Sequence, residues 1–311
     1  MSRIVIALGG NALGNSPEEQ QKMIENAAAP LVGLITQGHE IIISHGSGPQ
    51  VGMIQLAFDF ASERNPRVAK MKLPECTAMS QGYIGYHLQK GIKKELHNQG
   101  MPWQVVTVVT QMIVDKKDPA FLIPGKPIGS FYSEEEAKEI MEKDPGILMK
   151  EDAGRGYRQM VASPKPIDIV ERDSIVKLLD HEFIVIACGS GGIPVILDEN
   201  GDYESVQAVI DKDYTSAKLA ELVDADYLFI LTAVDNVAIN FGTPEQIDLT
   251  EMTCEEAKRY CEEGEFGAGS MRPKVEAAIS FVESKKGRTA VIASLDKAPL
   301  AMVGKSGTRI V

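Results

Sequence analysis

Three glycine-rich turns each follow a short apolar run: Gly9-Gly10-Asn11 after residues 4–8, Gly46-Ser47-Gly48 after residues 41–44, and Gly189-Ser190-Gly191-Gly192 after residues 184–188. A strand that ends in glycine presents backbone N–H groups to an anion at the start of the next helix. With little side-chain bulk at Gly10, Gly46, Gly48 and Gly52, a phosphoryl group can approach the peptide closely, while Asn11 and Ser47 add neutral donors. One such turn can serve merely to reverse the chain. Three of them, together with Lys126 in Lys-Pro-Ile-Gly, Lys212 in Ile-Asp-Lys-Asp and Lys274 after Pro273, point to a bound polyphosphate. Lys274 is the oddest placed, because a cation at a helix start opposes the helix dipole unless an anion lies between. Asp211 and Asp213 flank Lys212 and could hold it in one orientation; Asp213 otherwise reads as a helix cap.

Other chemistries lack their residues. There is no G-x-x-x-x-G-K-[ST] string and no G-x-S-x-G elbow. The run Gly46-x-Gly48-x-x-x-Gly52 approaches a dinucleotide fingerprint, but its third glycine comes one place late. His45 reads as a packed or turn histidine rather than a base. Cys76, Cys188, Cys254 and Cys261 show no C-x-x-C spacing, and the histidines at 39, 45, 87, 97 and 181 form no H-E-x-x-H, so no protein-held metal is expected and the thiols read as reduced and mostly buried.

The elements that must position these residues alternate. Apolar runs at 4–8, 41–44, 105–109, 183–187, 194–197, 227–231 and 290–293 are continuous, the pattern of strands buried on both faces of a parallel sheet. Helical patterns lie between them, with start signals at Ser16-Pro17-Glu18-Glu19 and at Thr253 with Glu256. This alternation implies a layered α/β/α architecture. Residues 115–162 break it with prolines, glycines and charges around one helix starting at Ser133, and read as an inserted, lid-like subdomain; Glu134, Glu135 and Glu136 there suit a solvated first helical turn. The chain has 311 residues, 44% hydrophobic and 24% charged, with a net charge of −12. That charge argues against a nucleic-acid partner, and no apolar run is long enough for a membrane span or a secretory signal, so a cytoplasmic protein is expected.

The strings themselves carry a resemblance. Ala-Leu-Gly-Gly-Asn-Ala (7–12), His-Gly-Ser-Gly-Pro-Gln-Val-Gly (45–52), Lys-Pro-Ile-Gly (126–129), Glu-Asp-Ala-Gly-Arg-Gly-Tyr (151–157), Ser-Pro-Lys-Pro (163–166), Gly-Gly-Ile-Pro-Val (191–195), Val-Ile-Asp-Lys-Asp (209–213) and Gly-Ser-Met-x-Pro-Lys (269–274) together resemble the carbamate kinases of the amino acid kinase superfamily, nearly end to end and in order.

The resemblance implies a three-layer α/β/α sandwich with a mainly parallel central sheet and a small protruding subdomain, one domain over residues 1–311 with the lid at 115–162. It implies reversible phosphoryl transfer between ATP and carbamate, giving ADP and carbamoyl phosphate, run toward ATP in arginine or purine-derivative fermentation. Gly9, Gly10, Asn11, Gly46, Ser47 and Gly48 would hold the substrate, and Lys126 would reach in from the insertion. Lys212 and Lys274 would neutralise the nucleotide phosphates, with Asp213 orienting them; Thr232, Ala233, Val234, Asp235 and Met271 would line the nucleotide. Mg²⁺ would arrive with the nucleotide, and the protein would be a homodimer. Ser47 departs from the asparagine usual in the family, and Ala233 from a common glycine. The rival readings are an acyl-phosphate kinase for acetylglutamate or aspartate, a dinucleotide-binding oxidoreductase, and a non-catalytic nucleotide-binding regulator. The role of Arg155 stays open between a substrate contact and a subdomain anchor.

Overall fold

The computed structural model describes residues 2–9, 16–36, 38–152, 154–267 and 269–311. From the amino end, β1 (Arg3–Leu8), α1 (Pro17–Ile35), β2 (Glu40–His45), α2 (Gly48–Arg64), α3 (Leu73–Asn98), β3 (Gln104–Thr107) and β4 (Gln111–Val114) lead to β5 (Lys126–Tyr132), α4 (Glu134–Lys143), β6 (Leu148–Glu151), β7 (Tyr157–Val161) and β8 (Pro166–Ile169). There follow α5 (Arg172–Asp180), β9 (Phe183–Ile186), β10 (Ile193–Leu197), β11 (Tyr203–Ser205), α6 (Lys212–Leu222), β12 (Tyr227–Thr232), β13 (Val237–Ile239) and β14 (Ile247–Leu249). The chain closes with β15 (Glu251–Met252), α7 (Cys254–Glu263), α8 (Met271–Glu283), β16 (Thr289–Ser294), α9 (Ala298–Met302) and β17 (Thr308–Ile310).

Successive residues of a strand point to opposite faces, so a continuous apolar run needs cover on both. The central sheet has that cover. Val5, Ala7, Ile42, Leu228, Ile230, Ala290 and Ile292 pack in one core with α5, α6, α7 and α8. Their neighbours Ile4, Ile6, Leu8, Ile41, Ile43, Phe229, Leu231 and Val291 pack in another with α1, α3 and α9. The result is a three-layer α/β/α sandwich. Among the described residues its sheet runs β15-β17-β16-β12-β1-β2-β9-β3. The pairings are parallel from β16 across to β3; β17 pairs antiparallel with β16, and β15 beside it runs parallel to β17. Leu8, His45, Ile186 and Thr232 therefore end on one edge, where ligands of open α/β sheets collect.

Local signals behave as their chemistry requires. Ser16 accepts from the Glu19 amide ahead of Pro17, and both Ser133/Glu136 and Thr253/Glu256 form reciprocal capping boxes. One expected strand falls elsewhere: residues 194–197 belong to β10 of a second, mixed sheet ordered β11-β10-β4-β8. β10 lies parallel to β4 and antiparallel to β11, with Leu197 exposed, so its apolar run is buried on fewer sides than the central strands. Within 115–162, β5, β7 and β6 pair antiparallel in a sheet of their own, with α4 against it. No helix among the described residues is long and apolar enough to cross a membrane.

Candidate active site

The edge where the parallel strands end opens into a cavity of about 960 Å³. Its floor is the turn from β2 into the start of α2, with Gly46, Ser47, Gly48 and Gln50; Gly125 and, from β5, Lys126, Pro127, Gly129, Ser130 and Phe131 border it, and the starts of α6 and α8 supply Lys212, Asp213, Tyr214, Pro273 and Lys274. The Gly46 amide donates to the Leu8 carbonyl (3.0 Å), which fixes the turn to β1. α2 starts at the cavity wall with Gly48, whose N–H has no acceptor within its own helix, followed by Pro49, which carries no N–H.

Three lysines from distant parts of the chain meet here. Lys126 Nζ lies 2.7 Å from Asp211 Oδ2, Lys212 Nζ 2.5 Å from Asp213 Oδ1, and Lys274 Nζ 3.1 Å from Asp213 Oδ2 and 3.1 Å from the Ser270 carbonyl. The anion missing from the sequence-level view of Lys274 is thus the Asp213 carboxylate. Asp213 is not the helix cap: Asp211 caps α6 by accepting from the Asp213 amide (2.9 Å), which leaves Asp213 in the first turn, its side chain 4% exposed between two ammonium groups. Burial alone would raise the Asp211 carboxyl, but the charge and hydrogen bond of Lys126, the Asp213 amide and Lys212 outweigh it and hold the group well below the usual carboxylate range. Three ammonium groups against two carboxylates leave one surplus positive charge in a chain of net charge −12. Such a cluster, beside the start of α2 and partly closed from water, suits a polyanion.

The hydroxyl of Ser47 turns away from its own helix, which it does not cap. It meets the hydroxyls of Ser190 and Ser80, the latter at 3.1 Å, and Ser80 and Ser190 lie 2.9 Å apart. Ser47 is fully buried, so its contribution to the cavity is mainly backbone. Ser190 sits at φ +57°, in left-handed space that few non-glycine residues occupy. Sequence reasoning marked Ser190 only as part of a turn and did not find Ser80, which gives no local signal.

His45 ends β2 beneath this turn and is 1% exposed. A β-carbon on Gly189 would sit 2.4 Å from its Nε2, so glycine is required for the third turn to close over it. Burial pushes the His45 imidazole down from 6.5 to about 4. Between those values an unfolded chain takes up a proton that the folded one refuses, so stability falls as pH drops through this window and the full penalty is present below about 4. The expected contribution is on the order of 3 kcal/mol. Urea unfolding of the native protein and of His45→Asn at a series of pH values checks it: the difference between the two curves should change across the window, and parallel curves would show that His45 protonates freely in the fold.

Other expected site residues are placed differently. Gly10 and Asn11 lie outside the described residues, and Gly9 follows β1 without lining the cavity. Thr232 ends β12 on the same sheet edge, yet Thr232, Ala233, Val234 and Asp235 do not line the cavity. Asp235 pairs instead with Lys297 (2.5 Å). Met271 opens α8 and packs against the core under the sheet. Gly52 was expected to admit a phosphoryl group, but its missing side chain faces Gly129 of β5: a β-carbon there would lie 2.0 Å from Gly129 Cα. Cys76, Cys188 and Cys261 are buried and all four cysteines are free. Among the described residues no cluster of three His, Cys, Asp or Glu side chains could hold a metal.

Comparison with known proteins agrees along the whole chain. Residues 2–294 match the Amino acid kinase family. A carbamate kinase of Staphylococcus epidermidis is 51% identical over 310 residues, covering 100% of this chain and 99% of the relative. The carbamate kinase-like protein YqeA of Escherichia coli K12 is 51% identical over 308 residues, covering 99% and 98%. Among solved structures, carbamate kinase from Giardia lamblia bound to AMP-PNP superposes with a TM-score of 0.90 at 42% identity, covering 100% of this chain and 98% of that one.

Proposed function

Since this chain belongs to the amino acid kinase family, among its carbamate kinases, we propose that it moves a phosphoryl group reversibly between ATP and carbamate, with the lysine-lined cavity as the place of transfer. The observation that carries this is the convergence of Lys126, Lys212 and Lys274 on a cavity floored by the β2–α2 turn.

Carbamate is already an oxyanion, so no general base is needed. Its oxygen forms a bond to the γ-phosphorus while the bond to the β,γ-bridging oxygen breaks, and the electron pair leaves with ADP. The demands are alignment and charge. The Gly48 amide at the start of α2 would hold the acyl end, with Gly46 and Ser47 shaping the turn beneath it, and the Gly9-Gly10-Asn11 turn would complete it. Lys212 and Lys274 would neutralise the nucleotide phosphates, held in place by Asp213, while Lys126 would meet the travelling group. Thr232, Ala233, Val234, Asp235 and Met271 would flank the nucleotide once it is bound. Asp211 and Asp213 are engaged by lysines, a donor set that fits Mg²⁺ carried by nucleotide oxygens rather than by a protein cage. The ion would supply charge neutralisation of those phosphates.

An acyl phosphate is a stronger phosphoryl donor than ATP, which supports a role in ATP formation from arginine- or purine-derived carbamoyl phosphate. The same reading takes residues 115–162 as a lid within a single domain, supported by their separate sheet, and takes the protein as a cytoplasmic homodimer on family resemblance. The deciding experiment is a coupled assay with Mg²⁺. ATP is expected from ADP and carbamoyl phosphate and far less from acetyl phosphate; a folded protein that forms none from carbamoyl phosphate refutes the proposal.

A further inference from the structure

The string 151–157 has no part in that mechanism, yet it brings a second cationic group to the cavity. Arg155 and Arg158 both line it, and they are held differently. Arg158 is fastened: Nε donates to the Gly129 carbonyl (3.1 Å), Nη1 donates to Asp152 Oδ2 (3.1 Å), and its side chain is 13% exposed. Arg155 is held loosely. Its side chain is 60% exposed, and Nη2 reaches the same Asp152 oxygen at 3.3 Å. Its guanidinium lies 4.7 Å from the centroid of the Phe131 ring, with that of Arg158 at 5.2 Å.

Two guanidiniums thus share one carboxylate oxygen, and the less exposed one has the shorter bond. The lid side of the cavity keeps a positive charge of its own, carried by an arginine whose plane is steadied by an aromatic face. Arg158 is tied to Gly129, and Gly129 packs against Gly52, one turn along α2 from Gly48, so through β5 this arginine is joined to the helix that starts at the Gly46–Gly48 turn, with Arg155 beside it on Asp152 and Phe131. An exposed ion pair of that length does little for the fold. A guanidinium fork, by contrast, fits two oxygens of a phosphoryl group at once.

We propose that Arg155 is a substrate-binding residue of the lid that grips the phosphoryl oxygens of the acyl phosphate. This rests on the function proposed above. In the ATP-forming assay, Arg155→Ala should raise KM for carbamoyl phosphate about 10-fold or more, the size of a lost charge-assisted contact, while KM for ADP and the melting temperature stay put. Arg155→Lys should recover part of the loss, since it keeps the charge without the fork. A KM for carbamoyl phosphate unchanged in Arg155→Ala overturns the assignment. If the native protein forms no ATP, the reaction is wrong but Arg155 is still judged by calorimetry with inorganic phosphate as the probe. Weaker binding by Arg155→Ala supports the contact; equal binding, or none by the native protein, removes it.

Discussion

Lys212→Ala and Lys274→Ala are each expected to slow phosphoryl transfer by at least ~10²-fold, the usual cost of removing one preorganised donor from a developing charge. Lys126→Ala belongs with them on the same grounds. What distinguishes the first two is their shared partner. Asp213 is almost wholly buried, and either lysine alone still leaves it paired. Each single variant should therefore lose turnover with a modest loss of stability. The double variant leaves a buried carboxylate with neither ammonium, and breaking such pairing typically costs ~3–5 kcal/mol. Coupled-assay rates with urea midpoints for the two singles and the double test both halves. Near-normal turnover in folded single variants would remove the lysines from the reaction. A double variant as stable as the singles would mean that the carboxylate protonates or reaches water.

This coupling also marks how far the sequence could be read. Of the three lysines only Lys274, a cation at a helix start, stood out by its own placement; Lys126 and Lys212 would pass as surface charge and were marked by the family strings around them. Their partners were only half visible. An aspartate favours both the cap and the first turn of a helix, so sequence alone could not tell that Asp211 caps α6 and Asp213 carries the lysines. The central sheet was legible for a similar reason, since runs buried on both faces leave a continuous signature. Residues 194–197 carry the same signature in a smaller mixed sheet, because composition reports burial and not which sheet supplies it. Contacts made across long stretches of chain left no local trace. Nothing near Arg158 signals the Gly129 carbonyl, and nothing near Ser47 signals Ser80.

Gly52 is the sharpest case of a residue whose type was legible and whose reason was not. Small size there serves the meeting of α2 with β5. A β-carbon at position 52 would lie 2.0 Å from Gly129 Cα and 2.5 Å from its nitrogen, and both are backbone atoms that cannot swing aside. Gly129 itself sits at φ +73°, which limits how its peptide can adjust. Gly52→Ala must therefore push β5 away from α2, and Lys126, which opens β5, moves with it away from Asp211 and the cavity. A displacement of about 1 Å in a positioning group can cost ~10² in rate, and overpacking of this kind typically costs ~1–3 kcal/mol in stability. The expected result for Gly52→Ala is a fall in kcat of about 10²-fold, with ADP binding retained through Lys212 and Lys274 at the starts of α6 and α8. Gly33→Ala is the control: it lies in α1 with open space where the methyl would go, and should leave turnover alone while stabilising the helix slightly. Native kcat and melting temperature in Gly52→Ala would show that the two segments part without moving Lys126, and the lid would then owe its position to other contacts.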